Sequence, residues 1–189
     1  MNTRIFPILV VLFVFSTQIL SAEFNVKKTD KNLVKFISDA PIENFEGITN
    51  NIDGFLYFAN ELTDSSQLHF EVDLRTIDTG IGLRNRHMRE NYLETDKYPM
   101  AVFEGKIVNA EKIGDNKYKV KVAGSMSIHG VTRKQDVEGT IDILGDEINI
   151  TTDFIVKLTD HNIEVPRLMF LKINENMQLH LNFSLEKVN

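Results

Sequence analysis

Met177, Leu179, Leu181, Phe183 and Leu185 are separated by Gln178, His180, Asn182 and Ser184. Successive side chains of an extended strand point to opposite faces, so a period of two marks a strand with one buried face. The same period runs through most of the chain. Phe24 and Val26 alternate with Asn25 and Lys27, and residues 33–38 follow less cleanly. Residues 48–58 predict a third strand, with Gly54 at a bulge or bend. Leu68, Phe70, Val72 and Leu74 alternate with His69, Glu71, Asp73 and Arg75. A strand is expected over 100–108. Tyr118, Val120, Val122, Gly124, Met126 and Ile128 share the next face, and Val137, Gly139, Ile141 and Ile143 the one after. Ile148, Ile150, Thr152, Phe154, Val156 and Leu158 complete the series before residue 177.

The strands are punctuated by turn chemistry. Asp30-Lys31-Asn32, Asp39-Ala40-Pro41, the polar run 60–66, Gly114-Asp115-Asn116, Gly130 and Gly145-Asp146 each break the alternation. About eight strands joined mostly by short turns pair antiparallel with their neighbours. A sheet with one apolar face must bury it, and closing on itself also removes exposed edges. The sheet can close on itself or pack on a second sheet; the expected fold class is all-β, one antiparallel eight-stranded barrel. Two stretches depart from the period. Residues 79–99 open with two glycines, carry a basic cluster and end in Tyr98-Pro99, which predicts a short helix closing one end. Residues 160–175, with Pro166 and the run Leu168-Met169-Phe170-Leu171, predict a loop or short helix under an open end.

The N-terminus carries a different signal. Arg4 precedes an apolar run over 5–20, and Leu20-Ser21-Ala22 offers a small-residue cleavage site. This is the pattern of a secretory signal peptide, and the run is short for a membrane span. The expected division is 1–22 signal peptide and 23–189 barrel domain, with export of the mature chain. Cleavage removes one basic residue, Arg4, moving the net charge from −6 to −7. That balance argues against nucleic acid and against docking on anionic lipid. The chain has no cysteine, so packing alone holds it together.

A barrel of about eight strands is either filled by its own side chains or holds one small ligand. Phe70, Val72, Leu74, Val120, Val122, Met126, Phe154, Val156, Leu181 and Phe183 point inward on this pattern and would line any tunnel. Such walls are hydrocarbon, and each buried methylene of a guest would contribute about 0.8 kcal/mol. An apolar interior is equally what a solid barrel needs, so hollow and packed interiors both stay open at this point. The hollow form would be a carrier. The solid form would be an exported structural or stress-related barrel without a lipid.

Two segments carry a family resemblance. Arg86-His87-Met88-Arg89, Tyr92-Leu93 and then Lys97-Tyr98-Pro99-Met100-Ala101-Val102-Phe103 resemble the signature of the YceI-like family. The run Val122-Ala123-Gly124-Ser125-Met126-Ser127-Ile128-His129-Gly130-Val131-Thr132-Arg133 resembles its second mark, in the expected order. Met88 and Met126 stand where leucine is common in the family, and residues 160–173 are bulkier than in typical members. The resemblance implies a lipocalin-like barrel with a long hydrophobic tunnel. It implies a periplasmic carrier of isoprenoid or other amphiphilic lipids, polyprenyl and quinone-like compounds included, without enzymatic activity and without a cofactor beyond such a bound lipid. Pairing into a homodimer through an outer face is compatible with this, with no residue singled out.

The remaining candidates are polar. Arg84, Arg86, His87 and Arg89 would suit a phosphate or carbonyl head group, since guanidinium donates in a planar fork. The alternatives are a surface helix in which Arg86 meets Glu90 one turn on, and a structural role for Arg89 or His87 in pinning the helix to the barrel. His69, His87, His129, His161 and His180 show no metal-ligand spacing. No nucleophile elbow, P-loop or dinucleotide fingerprint is present. The glycosylation sequons at Asn149 and Asn182 fall on strands and are taken as chance. Residues 166–173 fit either a gate at the barrel mouth or a fixed plug.

Overall fold

Alternation with one apolar face closes into a cylinder, as expected. The computed structural model describes residues 21–39, 44–168 and 171–188. Residues 1–20 of the expected signal segment, the centre of the Ala40-Pro41 break, and Met169-Phe170 lie outside the described residues, whereas Ala22, the last residue of that segment, already opens the first strand. The chain runs β1 (Ala22–Val26), β2 (Leu33–Ser38), β3 (Phe45–Thr49), β4 (Ile52–Phe58) and β5 (Gln67–Asp73). A helical stretch follows, with a 3-10 turn Leu74–Thr76, the helix α1 (Gly82–His87) and a π-helical turn Met88–Tyr92. Then come β6 (Met100–Lys112), β7 (Lys117–Ile128), β8 (Val131–Leu144) and β9 (Glu147–Lys157). A 3-10 turn Leu158–His161 and a two-residue hairpin, β10 (Arg167–Leu168) and β11 (Leu171–Lys172), lead to β12 (Asn176–Lys187).

Strands β1, β4, β5, β6, β7, β8, β9 and β12 pair antiparallel in that order, and β1 closes the ring on β12. Strands β2 and β3 prolong β1 and β4 toward the end that carries the helix. The join of β1 to β2 is a large bulge. Val26 faces Leu185 and Leu33 faces Asn182, so residues 27–32 lie against only Phe183 and Ser184. Buried Asn32 holds the bulge shut: its Nδ2 donates to the Lys27 carbonyl at 2.8 Å and its Oδ1 accepts from the Ser184 amide at 3.2 Å.

Two strands differ from expectation. The single strand over 48–58 is in fact β3 and β4, broken at Asn50-Asn51, where the Thr49 hydroxyl takes the Asn51 amide at 3.0 Å and pairs with Thr76 at 2.7 Å. Gly54 does sit at a bend (φ +128°), and a side chain there would strike the His69 carbonyl. Strand β6 continues to Lys112 rather than stopping at 108, because a bulge between Ile107 and Asn109 shifts the register. The bulge breaks the alternation on which the expected boundary rested.

The strands cross between two unlike ends. The helical stretch, the His129-Gly130 turn and residues 158–168 and 171–175 gather at one end. The loop 59–66, the turns at 113–116 and 145–146 and both described chain ends gather at the other. There Phe24, Leu56, Leu62, Ile107, Ile148 and Leu185 form a continuous core. Leu56, Ile148 and Leu185 have no exposed surface at all. Among the described residues no helix is long and apolar enough to cross a membrane.

Candidate functional site

The helix end of the barrel is hollow. A cavity of about 250 Å³ runs inside it, walled by inward side chains of every barrel strand except β1, together with β2, β3, Met88, Tyr92 and Leu93 of the helical stretch, and Ile163, Pro166 and Ile173 of the segment after β9. An apolar cavity of about 150 Å³ is already enough to stay dry and accept benzene, and ligand pockets start at about 300 Å³. Exposure supports the same conclusion. Phe70, Val72, Phe103, Phe154, Leu179 and Leu181 point inward yet keep part of their surface free. In a filled barrel those positions would be closed off.

The wall is hydrocarbon almost throughout. Tyr92 is its one ionisable side chain among the described residues, and Thr152 commits its hydroxyl to the Glu138 carbonyl at 2.7 Å. Two glycines seat rings flat against the wall. A β-carbon on Gly47 would lie 2.2 Å from the Phe36 ring, and one on Gly124 2.6 Å from the Phe103 ring. Each glycine therefore provides the recess that keeps an aromatic side chain out of the lumen.

All ten residues expected to line a tunnel border this cavity: Phe70, Val72, Leu74, Val120, Val122, Met126, Phe154, Val156, Leu181 and Phe183. The periodicity of the strands left out the roof. Met88 and Tyr92 are four apart on one helical face, a spacing that would have identified them. The π-turn, closed by the Leu93 amide on the Met88 carbonyl at 2.9 Å, brings Leu93 into the lining as well.

The four basic candidates are not on the cavity wall. Arg84 donates to the Thr79 hydroxyl (3.0 Å) and carbonyl (2.7 Å), and its guanidinium lies 4.6 Å from the centre of the Phe45 ring. Arg89 donates to the Asn85 carbonyl at 3.2 Å and the Arg75 carbonyl at 2.9 Å, which pins the helical stretch to the turn after β5. Arg86 and His87 are exposed. Buried Asn85 organises the start of the helix. Its Oδ1 accepts from the Thr79 amide (2.8 Å) and hydroxyl (2.6 Å), and its Nδ2 donates to Asp78 at 2.7 Å. That hydrogen bond, with the Gly80 amide and nearby Arg89, holds the Asp78 carboxyl below the usual carboxylate range.

The histidines serve as joints. His161 is buried, with Nδ1 2.9 Å from the Val131 carbonyl, and His129 reaches the His161 carbonyl at 3.2 Å and packs edge-on against Tyr98. These contacts bind residues 158–161 to the β7–β8 hairpin. His69 and His180 sit outside the barrel, beside Glu104 and Asp153. Among the described residues no three His, Asp or Glu side chains converge as a metal site would require. In the segment read as gate or plug, Pro166 and Ile173 border the cavity and are joined by a backbone hydrogen bond of 3.0 Å.

Known structures share this architecture. BcnA of Burkholderia cenocepacia superimposes with a TM-score of 0.67 at 18% identity, over 82% of this chain and 96% of that one. A polyisoprenoid-binding domain from Saccharophagus degradans, implicated in plant cell wall breakdown, gives 0.69 at 16% identity, over 90% and 100%. The YceI protein of Campylobacter jejuni gives 0.61 at 17% identity, over 78% and 88%. Identities this low speak to the fold alone. Comparison with curated sequences found no match. The sequence profile of the YceI-like domain, however, matches residues 24–185, nearly the whole described barrel, and the chain belongs to the YceI-like family.

Proposed function

We propose that the protein is a periplasmic carrier that sequesters the tail of an isoprenoid or other long-chain amphiphilic lipid in its barrel. The observation that carries this reading is the hydrocarbon cavity under a roof of Met88, Tyr92, Leu93, Ile163, Pro166 and Ile173. A tail entering it gains about 0.8 kcal/mol per methylene with no polar partner needed, whereas a buried charged head would go uncompensated. The head group accordingly stays at the rim, where Arg84 touches the lining through Phe45. Polyprenyl and quinone compounds fit this division between tail and head. The likeness to a polyisoprenoid-binding domain supports the same ligand class. Among the described residues the wall offers no acid-base pair, which favours carriage over catalysis. Export rests on the N-terminal pattern of residues 1–22, and the family match starting at residue 24 is consistent with it.

Native mass spectrometry and solvent extraction of the protein purified from its source provide the test. A long-tailed lipid is expected in stoichiometric amount. Repeated recovery of empty protein that takes up no isoprenoid lipid would overturn the carrier reading. The mass of the periplasmic form tests export, with loss of residues near 1–22 as the expected result.

A further inference from the structure

A pair of rings stands on the cavity wall. Phe70 of β5 and Phe183 of β12 meet edge to face, with centroids 5.0 Å apart and planes at 73°. Their strands are separated round the cylinder by β4 and β1, so the pair reaches across part of the lumen. Both rings border the cavity. Leu68, Val120, Ile141 and Ile150 on the same wall belong with Phe183 to the continuous core, which runs on to the wholly buried Leu56, Ile148 and Leu185. The two rings differ in environment. Phe183 belongs to the continuous core and is 3% exposed, whereas Phe70 packs against that core and keeps free surface.

We propose that Phe70, backed by Phe183, is the stop that sets how long a hydrocarbon tail the protein accepts. The inference rests on the carrier reading and adds the feature that selects among its ligands. With no charged side chain on the wall among the described residues, the buried part of the ligand is chosen by length, not by head-group contacts. Each methylene that finds room raises affinity about fourfold. At the stop that gain ends, because the next carbon must part an aromatic pair and push into a core packed at crystal-like density. The selection is therefore a cut-off in tail length, placed by one side chain.

The experiment loads delipidated protein with prenyl alcohols of increasing isoprene number and reads occupancy by native mass spectrometry in pairwise competition. Phe70→Ala removes about six carbons of ring, comparable to the five of an isoprene unit. The cut-off is expected to move one unit longer, with the first excluded alcohol gaining at least about tenfold in relative occupancy. Phe70→Trp is expected to lower the relative occupancy of the longest accepted alcohol, and Phe70→Leu gives the first direction in a milder form should the alanine variant fail to fold. Thermal melting identifies which variants are folded. Folded variants that keep the parent's cut-off would overturn the stop while leaving the carrier intact. A parent protein that takes up no prenyl alcohol of any length would overturn the carrier reading and the stop with it.

Discussion

The two ends of the barrel use the same residue types and reach opposite results. Toward the chain ends, Phe24 stacks on Phe58 (5.9 Å, 10°), Leu62 folds in from the 59–66 loop, and Leu56, Ile148 and Leu185 close the centre. Toward the helix, Phe36 and Phe103 lie back over Gly47 and Gly124, and the roof residues cap a space instead of filling it. Inward valines, leucines and phenylalanines thus do not decide between solid and hollow. What decides is whether a ring has a glycine to recline on and whether a loop sends a side chain inward.

This contrast predicts unequal costs for the same deletion. Leu185→Ala at the solid end leaves a void that its neighbours cannot fill and is expected to cost about 2–5 kcal/mol. Leu181→Ala, four residues away on the same strand face, borders space that is already empty. It should cost only about 1 kcal/mol, the partial transfer of its methyl groups. Urea unfolding of both variants is the check, and equal losses would erase the distinction between the ends.

A glycine substitution sharpens the comparison from the other side. At Gly47 a methyl group meets the Phe36 ring at 2.2 Å and Ile77 at 2.9 Å, both side chains. Phe36 must swing off the wall, at about 1–3 kcal/mol, and the direction open to it is the cavity. Gly47→Ala is expected to reduce lipid occupancy in native mass spectra by more than its modest loss of stability explains. At Gly124 a methyl group also meets the Glu104 carbonyl at 2.5 Å, an atom fixed in the ladder. Gly124→Ala should therefore show the reverse balance, with stability falling first. Identical behaviour of the two variants would mean that the seats do not shape the cavity.

Much of this architecture is legible in the sequence because a period of two is a local signal. The strands, the inward faces and all ten cavity-lining residues named from them follow from it. The parts that are not legible depend on distant partners. The β1–β2 bulge is set by the register of β12, closed by Asn32 on Ser184. Leu62 is a lone apolar residue in a polar loop and carries no period, yet it plugs one end. Emptiness is a balance of volumes round the whole ring, which no single strand contains. At the roof, the conspicuous arginines pointed to a head-group site, while Arg84 and Arg89 turn to backbone carbonyls and the quieter Met88 and Tyr92 face the lumen.

The roof is tied down by hydrogen bonds where the solid end is held by packing, so its weak point is polar. Asn85→Ala leaves the buried Thr79 amide and hydroxyl without their acceptor, a loss of about 1–3 kcal/mol. The loss should be local. Hydrogen exchange is expected to rise over residues 79–95 while the amides of β7 and β12 stay protected. A uniform rise across the barrel would mean that the roof and the solid end unfold as one unit.

The smallest effect separates the two ends by pH. Asp78 is held below the usual carboxylate value by the Asn85 side chain, the Gly80 amide and Arg89. A depressed folded pKa means that the charged form favours the folded state. That stabilisation is complete above the unfolded value of about 3.9 and is lost as pH falls through the lower folded value. The helix end is therefore expected to loosen below about pH 4, ahead of the solid end, which is held by a hydrophobic cluster. Asp78→Asn should remove part of this acid sensitivity. In hydrogen exchange at pH 3 against pH 6, corrected for the intrinsic rate, protection at residues 79–85 should change less in the variant than in the parent. An unchanged pH response would show that the Asp78–Asn85 contact does not hold the roof.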